Sequence, residues 1–69
     1  MKDLALRFGL QLRAVRKTKN LSQDKLALIA DIDRSYVGRI ERGEVNITLE
    51  KVYQLAEVLD VSVEALLPK

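Results

Sequence analysis

The 69-residue sequence contains no cysteine and no histidine. Without cysteine, disulfide bonds and thiolate zinc sites are excluded, so packing or self-association must stabilise a chain this short. The lack of cysteine also favours a reducing, intracellular setting. There is no phosphate-cradling glycine loop and no carboxylate pair flanked by a plausible pocket, so we expect neither an enzyme nor a metal site, cofactor or small-molecule ligand.

Long apolar runs are missing as well. The longest, Leu26 to Ala30, is far too short to cross a bilayer, and Met1-Lys2-Asp3 lacks the charged-then-apolar pattern of a signal peptide. No repeat, low-complexity tract or linker divides the chain. We therefore predict one soluble, cytoplasmic domain over residues 1–69 with no membrane partner. The sequence fits either a whole protein or the amino-terminal part of a longer one.

The formal net charge of +2 conceals a division along the chain. Residues 1–43 contain ten basic and five acidic side chains, whereas residues 44–69 contain two and five. The basic part favours a polyanionic partner. Scattered lysines and arginines are more often simply solvated, so charge alone supports a nucleic-acid interpretation only modestly.

The spacing of apolar residues predicts five helices and no strands. The first helix is expected from about Lys2 to Lys19, and the third from Arg34 to about Arg42 with Asp33 as its cap. The second, fourth and fifth helices are expected to begin after the capping residues Ser22, Thr48 and Ser62. The helices are expected to end at Asn20, at residues 31–33 and at Gly43. The apolar residues on the core-facing stripes are Leu4, Phe8, Leu12, Val15, Leu26, Ala27, Ala30, Tyr36, Val37, Ile40, Leu49, Val52, Ala56 and Leu59.

Two short helices joined by a tight turn match the geometry by which a protein inserts one helix into the major groove. If Gln23 begins a unit of about twenty residues, apolar residues fall where the two helices of such a motif must pack together. These residues are Leu26, Ala27, Ala30, Ile32, Val37 and Ile40. The small Ala27 allows the close approach.

This pattern, with Leu-Ser-Gln before it and Ile-Glu-Arg-Gly after it, resembles the Cro and phage-repressor (XRE-like) type of helix-turn-helix regulators over nearly the whole chain. The run from Asp33 to Gly43 is most similar to the controller proteins of restriction-modification systems. The resemblance implies an all-α, compact five-helix, lambda-repressor-like DNA-binding domain with the motif at helices 2 and 3. Asp31 departs from the pattern, because the family commonly has glycine there. Aspartate tolerates a left-handed backbone better than most residues, so the turn can form at some cost in strain.

One face of the predicted third helix is polar, cationic and slim, opposite the face that carries Val37 and Ile40. It comprises Arg34, Ser35, Gly38, Arg39 and Arg42. Arginine can donate two bonds to the O6 and N7 of guanine, so we expect Arg34 and Arg39 to read bases and Ser35 to add a less selective contact. Gly38 costs helix stability, which suits a face that must sit close against something; the alternative is an accidental glycine on an exposed surface.

Phosphate contacts are expected near helix starts, where unpaired amides and the positive end of the helix dipole attract anions. The residues in question are Gln23, Tyr36, Arg42, Asn46 and Thr48. The family resemblance supports this role for Gln23, Arg42, Asn46 and the amides near Thr48. Asn46 could equally satisfy its own turn. Tyr36 could reach a phosphate only with its hydroxyl, and packing at the edge of the core with a peripheral hydrogen bond is preferred for it.

Arg16 and Glu41 continue apolar stripes on two different helices, so both charges point inward. A buried charge needs a partner, so we predict a partly buried Arg16–Glu41 ion pair with a structural role. The family resemblance also implies such a pair.

One recognition helix touches too few base pairs to select a site in a genome, so a homodimer on a palindromic operator is expected, with half-sites roughly 34 Å apart. The candidate interface residues are Val61, Val63, Leu66 and Leu67. The alternative is that all four close the core of the monomer. The predicted function is a sequence-specific transcriptional regulator whose partners are duplex DNA and a second copy of itself. The alternative is a helical protein-interaction module such as an antitoxin. The operator and the choice between activation and repression stay open.

Overall fold

The computed structural model describes residues 3–68, which form five α-helices and no strand. The helices are α1 (Leu4–Thr18), α2 (Gln23–Ala30), α3 (Arg34–Glu41), α4 (Leu49–Leu59) and α5 (Val63–Leu66). This confirms the predicted all-helical class. The predicted start of the first helix at Lys2 lies outside the described residues. No helix within residues 3–68 has the length and apolar character needed to cross a membrane.

Side chains cap two of the helices at their amino ends. The Ser22 hydroxyl accepts a hydrogen bond of 3.0 Å from the amide three residues later, and the Thr48 hydroxyl accepts one of 3.1 Å in the same way. Asp33 and Ser62 occupy the corresponding positions before α3 and α5 with extended backbone, but their side chains make no capping bond. Capping therefore stabilises the starts of α2 and α4 directly.

Left-handed residues follow several helices. Asn20, Asp31 and Asp60 have φ values of 58°, 58° and 57°, and Gly43 has a φ of 75°. Asp31 thus adopts the strained conformation that its position in the turn predicts. Gly43 has a second constraint, because a Cβ atom there would lie 2.6 Å from the Cα of Leu6.

The core lies where α1 and α2 pack on α3 and where α5 packs on α1 and α4. Its buried apolar residues are Phe8, Leu12, Leu26, Ala27, Ala30, Val37, Ile40, Val52, Leu55, Ala56, Leu59 and Leu66. The backbones of α1 and α3 approach closely at Gly9, where a Cβ atom would lie 2.4 Å from the carbonyl oxygen of Ile40. The core therefore fixes how α3 is held against α1.

Two leucines predicted in the core are exposed, which corrects the expectation for them. Leu4 is 41 % exposed and Leu49 is 70 % exposed. Both are the first residues of their helices, beyond the end of the packed core, and they line an open apolar groove with Phe8, Ile47 and Leu67. The 3.6-residue period identifies a face of a helix, but it does not say how far along the helix a neighbour covers that face.

Candidate nucleic-acid interface

The structure brings Arg16 and Glu41 together in a buried ion pair. Nε of Arg16 lies 2.7 Å from Oε2 of Glu41 and Nη2 lies 3.0 Å from Oε1, while Nη1 donates to the carbonyl of Leu21 at 2.7 Å. The side chains of the pair are 8 % and 3 % exposed. The Glu41 carboxylate raises the pKa of the Arg16 guanidinium, mainly by accepting its hydrogen bonds, while burial acts in the opposite direction. The pair fastens α3 to α1.

Gln23 connects this ion pair to the surface. Its Nε2 donates to Oε1 of Glu41 at 3.0 Å. Because a carboxylate only accepts hydrogen bonds, the amide nitrogen must face Glu41 and the amide oxygen must face away. That oxygen lies 3.5 Å from the position a Cβ atom would take at Gly38. The first residue of α2 is therefore held between the buried carboxylate and the outer face of α3.

Gly38 is buried, which agrees with a face that lies close against something and not with an accidental glycine on an exposed surface. The terminal Nη1 of Arg42 would lie 2.9 Å from a Cβ atom at residue 38, so this side chain and Gln23 cover the glycine. The glycine therefore makes room first for neighbouring side chains of the protein itself. Helical periodicity could not reveal this cover, because Gln23 comes from another helix.

The three predicted base-reading residues lie together on the exposed face of α3. Arg34, Ser35 and Arg39 are exposed, and they line one cleft between α2 and α3 with Gln23, Gly38 and Arg42. Arg34 and Arg39 therefore share one cleft. The sequence correctly predicts an exposed cationic surface along this helix.

Carboxylates accompany two of the three arginines in this cleft. Nε of Arg34 pairs with Oδ1 of Asp24, and Arg42 donates from Nε and Nη2 to Glu44 at 2.7 and 3.3 Å. The hydrogen bonds between Arg42 and Glu44 raise the pKa of the guanidinium and lower that of the carboxyl. Among residues 3–68, the Arg39 side chain has no hydrogen-bond or ion-pair partner, although its charge also helps to lower the pKa of the Glu44 carboxyl. Sequence reasoning missed both pairs.

The residues expected to bind phosphate extend to both sides of this cleft. Arg42 also lines a groove with the exposed Asn46 near the start of α1. Arg39 also lines a cleft with the half-buried Tyr36 and with Lys51. Shared side chains thus join the three clefts into one surface. The sequence does not single out Lys51, because its place beside α3 depends on how α4 packs.

Thr48 stands apart from the other phosphate candidates, because its hydroxyl oxygen already caps α4. That bond uses one lone pair and leaves the hydroxyl proton available for donation. A phosphate at this helix start is compatible with the cap.

The predicted dimer residues do not form one patch. Val61 and Val63 are half-buried and line a groove with the exposed Tyr53. Leu67 is 40 % exposed and lines the separate apolar groove beside Leu49. Leu66 is fully buried in the monomer, so its predicted place in the interface is wrong. In so short a helix, sequence spacing alone does not identify which of two adjacent leucines faces the core.

Comparison with known proteins places this geometry in a family. The HTH_3 helix-turn-helix family model matches residues 12–66. Control protein C.BamHI of Bacillus amyloliquefaciens is 38 % identical over 66 residues, covering 94 % of this chain and 82 % of that protein. The crystal structure of the restriction-modification controller protein C.AhdI from Aeromonas hydrophila is 44 % identical, with a TM-score of 0.87 and coverage of 96 % and 98 % of the two chains.

A third similar structure is the restriction-modification controller protein C.Esp1396I, solved as a tetramer in complex with its natural 35 base-pair operator. It is 26 % identical, with a TM-score of 0.85 and coverage of 96 % of this chain and 87 % of that one. Family model, sequence relatives and fold agree with one another and with the exposed cationic face of α3. The chain therefore belongs to the HTH_3 helix-turn-helix family and is a DNA-binding transcription regulator of the controller-protein type.

Proposed function

We propose that this protein binds a palindromic operator as a homodimer in the cytoplasm and regulates transcription there. In this proposal α3 enters the major groove, where Arg34 and Arg39 read guanines and Ser35 adds a shorter contact. The observation that carries the proposal is the single exposed cleft that contains all three side chains. The operator complex of C.Esp1396I supports it, since that relative has the same fold.

Phosphate contacts would hold α3 in register on the duplex. Gln23 and Arg42 border the base-reading residues within the same cleft, and Asn46 and Tyr36 lie in the adjoining clefts. Because the side-chain oxygen of Gln23 faces this cleft, its donor to a phosphate would be the backbone amide at the start of α2 or the second N–H of Nε2. Such contacts carry little sequence information but fix the orientation of the protein on the duplex. Lys51, beside Tyr36 and Arg39, joins the candidates because it adds a charge at one end of this surface.

A second copy of the chain would supply the second half of the palindrome. The groove of Val61, Val63 and Tyr53 and the neighbourhood of Leu67 both expose apolar surface suitable for self-association. We assign the dimer contact to the groove lined by Tyr53, because two predicted interface residues border it. Replacement of Tyr53 by serine should weaken self-association in sedimentation, whereas Leu10→Ser, at another exposed apolar residue, should leave it unchanged.

Selection of bound sites from random duplex DNA tests the proposal. The expected result is a two-fold symmetric motif with half-site centres about one helical turn, roughly 34 Å, apart. The affinity of the selected duplex should fall steeply as salt concentration rises, because phosphate contacts release counterions. No enriched motif would contradict specific regulation.

The same assay separates the proposal from a protein-interaction role. If Arg34→Ala and Arg39→Ala leave DNA affinity unchanged while binding to a protein partner is lost, the helical interaction module is the correct interpretation. Thermal denaturation of both variants provides the control, since both side chains are exposed and should contribute little to folding.

A further inference from the structure

Asp24 lies in the first turn of α2 and pairs with Arg34, the first residue of α3. The contact joins the carboxylate Oδ1 to the guanidinium Nε. We propose that Asp24 is a positioning residue that sets the base specificity of Arg34 without needing to touch the DNA. This inference rests on the proposed function, in which Arg34 reads a base.

The contacting nitrogen determines what Arg34 can still do. A guanidinium has one N–H at Nε and four on its two terminal nitrogens. Guanine is recognised through two parallel bonds, which the terminal nitrogens can supply together. A carboxylate beside Nε therefore restrains the guanidinium at its inner nitrogen and leaves the terminal nitrogens to face guanine.

Arg42 provides the contrast within the same cleft. Glu44 engages both its Nε and its Nη2, so one terminal nitrogen is already in use. The other, Nη1, lies above Gly38. Arg42 is thus held flat against α3, an arrangement that suits a phosphate better than the edge of a base, whereas Arg34 keeps its outer edge open.

The Asp24–Arg34 pair has little to contribute to stability, because its side chains are 66 % and 74 % exposed and exposed ion pairs are weak. Its effect on binding is different. The carboxylate offsets the positive charge of Arg34, which reduces its attraction to phosphates of any sequence. The directional bonds of the guanidinium remain. The pair therefore favours discrimination between bases over general affinity.

The test uses the duplex selected from random DNA and its single base-pair substitutions in one half-site. Arg34→Ala first identifies the base pair that Arg34 reads, as the position where preference disappears. In Asp24→Ala the preference at that base pair alone should then fall about 2- to 12-fold, which corresponds to the free-energy cost of ordering one flexible side chain. It should also bind random duplex more tightly, because a negative charge is removed. Asp24→Glu should retain most of the preference.

Glu44→Ala is the matched control, since it also removes a carboxylate paired with an arginine of this cleft. It should tighten binding to random duplex while the base preference stays as in the unmodified protein. If Asp24→Ala keeps the full preference, or loses it equally at every base pair, Asp24 does not position Arg34. If the unmodified protein selects no motif, or Arg34→Ala alters no preference, the proposed function fails for Arg34 and this inference fails with it.

Discussion

Removing the Glu41 carboxylate should destabilise the fold strongly, because it is the partner of a buried guanidinium. Glu41 accepts three hydrogen bonds, two from Arg16 and one from Gln23. In Glu41→Ala the Arg16 charge would stay buried with only its bond to the Leu21 carbonyl. Breaking a buried pair costs about 3 to 5 kcal/mol. Because the Leu21 bond survives, we expect about 3 kcal/mol, the lower end of that range.

Thermal denaturation followed by circular dichroism measures this loss. For a domain of this size, about 3 kcal/mol corresponds to a melting temperature lower by roughly 12 to 24 °C. Protein concentration must be identical in all samples, because self-association would stabilise the folded state by mass action. The doubly substituted Arg16→Met, Glu41→Leu protein is the control. It removes both charges together, so it should melt far closer to the unmodified protein.

A loss below about 1 kcal/mol in Glu41→Ala would refute the reasoning, because that magnitude is typical of solvated surface pairs. A double variant no more stable than Glu41→Ala would refute it in another way. The cost would then come from lost packing around the two side chains and not from an orphaned charge.

Three further predictions concern Arg42 and its neighbours Gly38 and Glu44. Gly38→Ala should stabilise α3 by about 0.5 to 1 kcal/mol in denaturant titrations, because only the flexible end of Arg42 must move. The same substitution should weaken operator binding, because it displaces the Arg42 guanidinium. The Glu44 carboxyl should titrate by NMR below its ordinary pKa of 4.5, because Arg42 lowers its pKa. Its contribution to stability is therefore present at pH values above 4.5 and is lost as the pH falls through the folded-state pKa. A titration midpoint at or above 4.5 would contradict this. Arg42→Ala should reduce the slope of log affinity against log salt by about 1 per bound subunit, and an unchanged slope would remove Arg42 from the phosphate contacts.

Local signals explain why much of the fold could be predicted from the sequence. Apolar spacing identifies the helices, and Ser22 and Thr48 identify two of their starts through bonds to nearby amides. The predicted ends at Lys19 and Arg42 lie one residue beyond the observed ends of α1 and α3. Side-chain patterns within one helix also predict that Arg34, Ser35 and Arg39 share a face.

Contacts between helices explain what could not be predicted. The Asp24–Arg34 pair and the cover over Gly38 depend on how α2 crosses α3, and neither leaves a periodic signal in the sequence. Lys51 joins the candidate surface only because α4 brings it beside Arg39. A glycine within an apolar helical stripe, such as Gly9, indicates a close approach of another element. The sequence does not show that this element is α3.

The central claim is that exposed guanidinium groups on α3 read bases, and Arg39 tests it most directly because no side chain among residues 3–68 holds it. The measurement is the affinity of Arg39→Ala for the selected duplex and for random duplex at one salt concentration. We predict that the binding free energy for the selected duplex weakens by roughly 1 to 3 kcal/mol per half-site. The binding free energy for random duplex should weaken much less. An equal fall for both duplexes would show that Arg39 contacts only the phosphate backbone and would contradict the account.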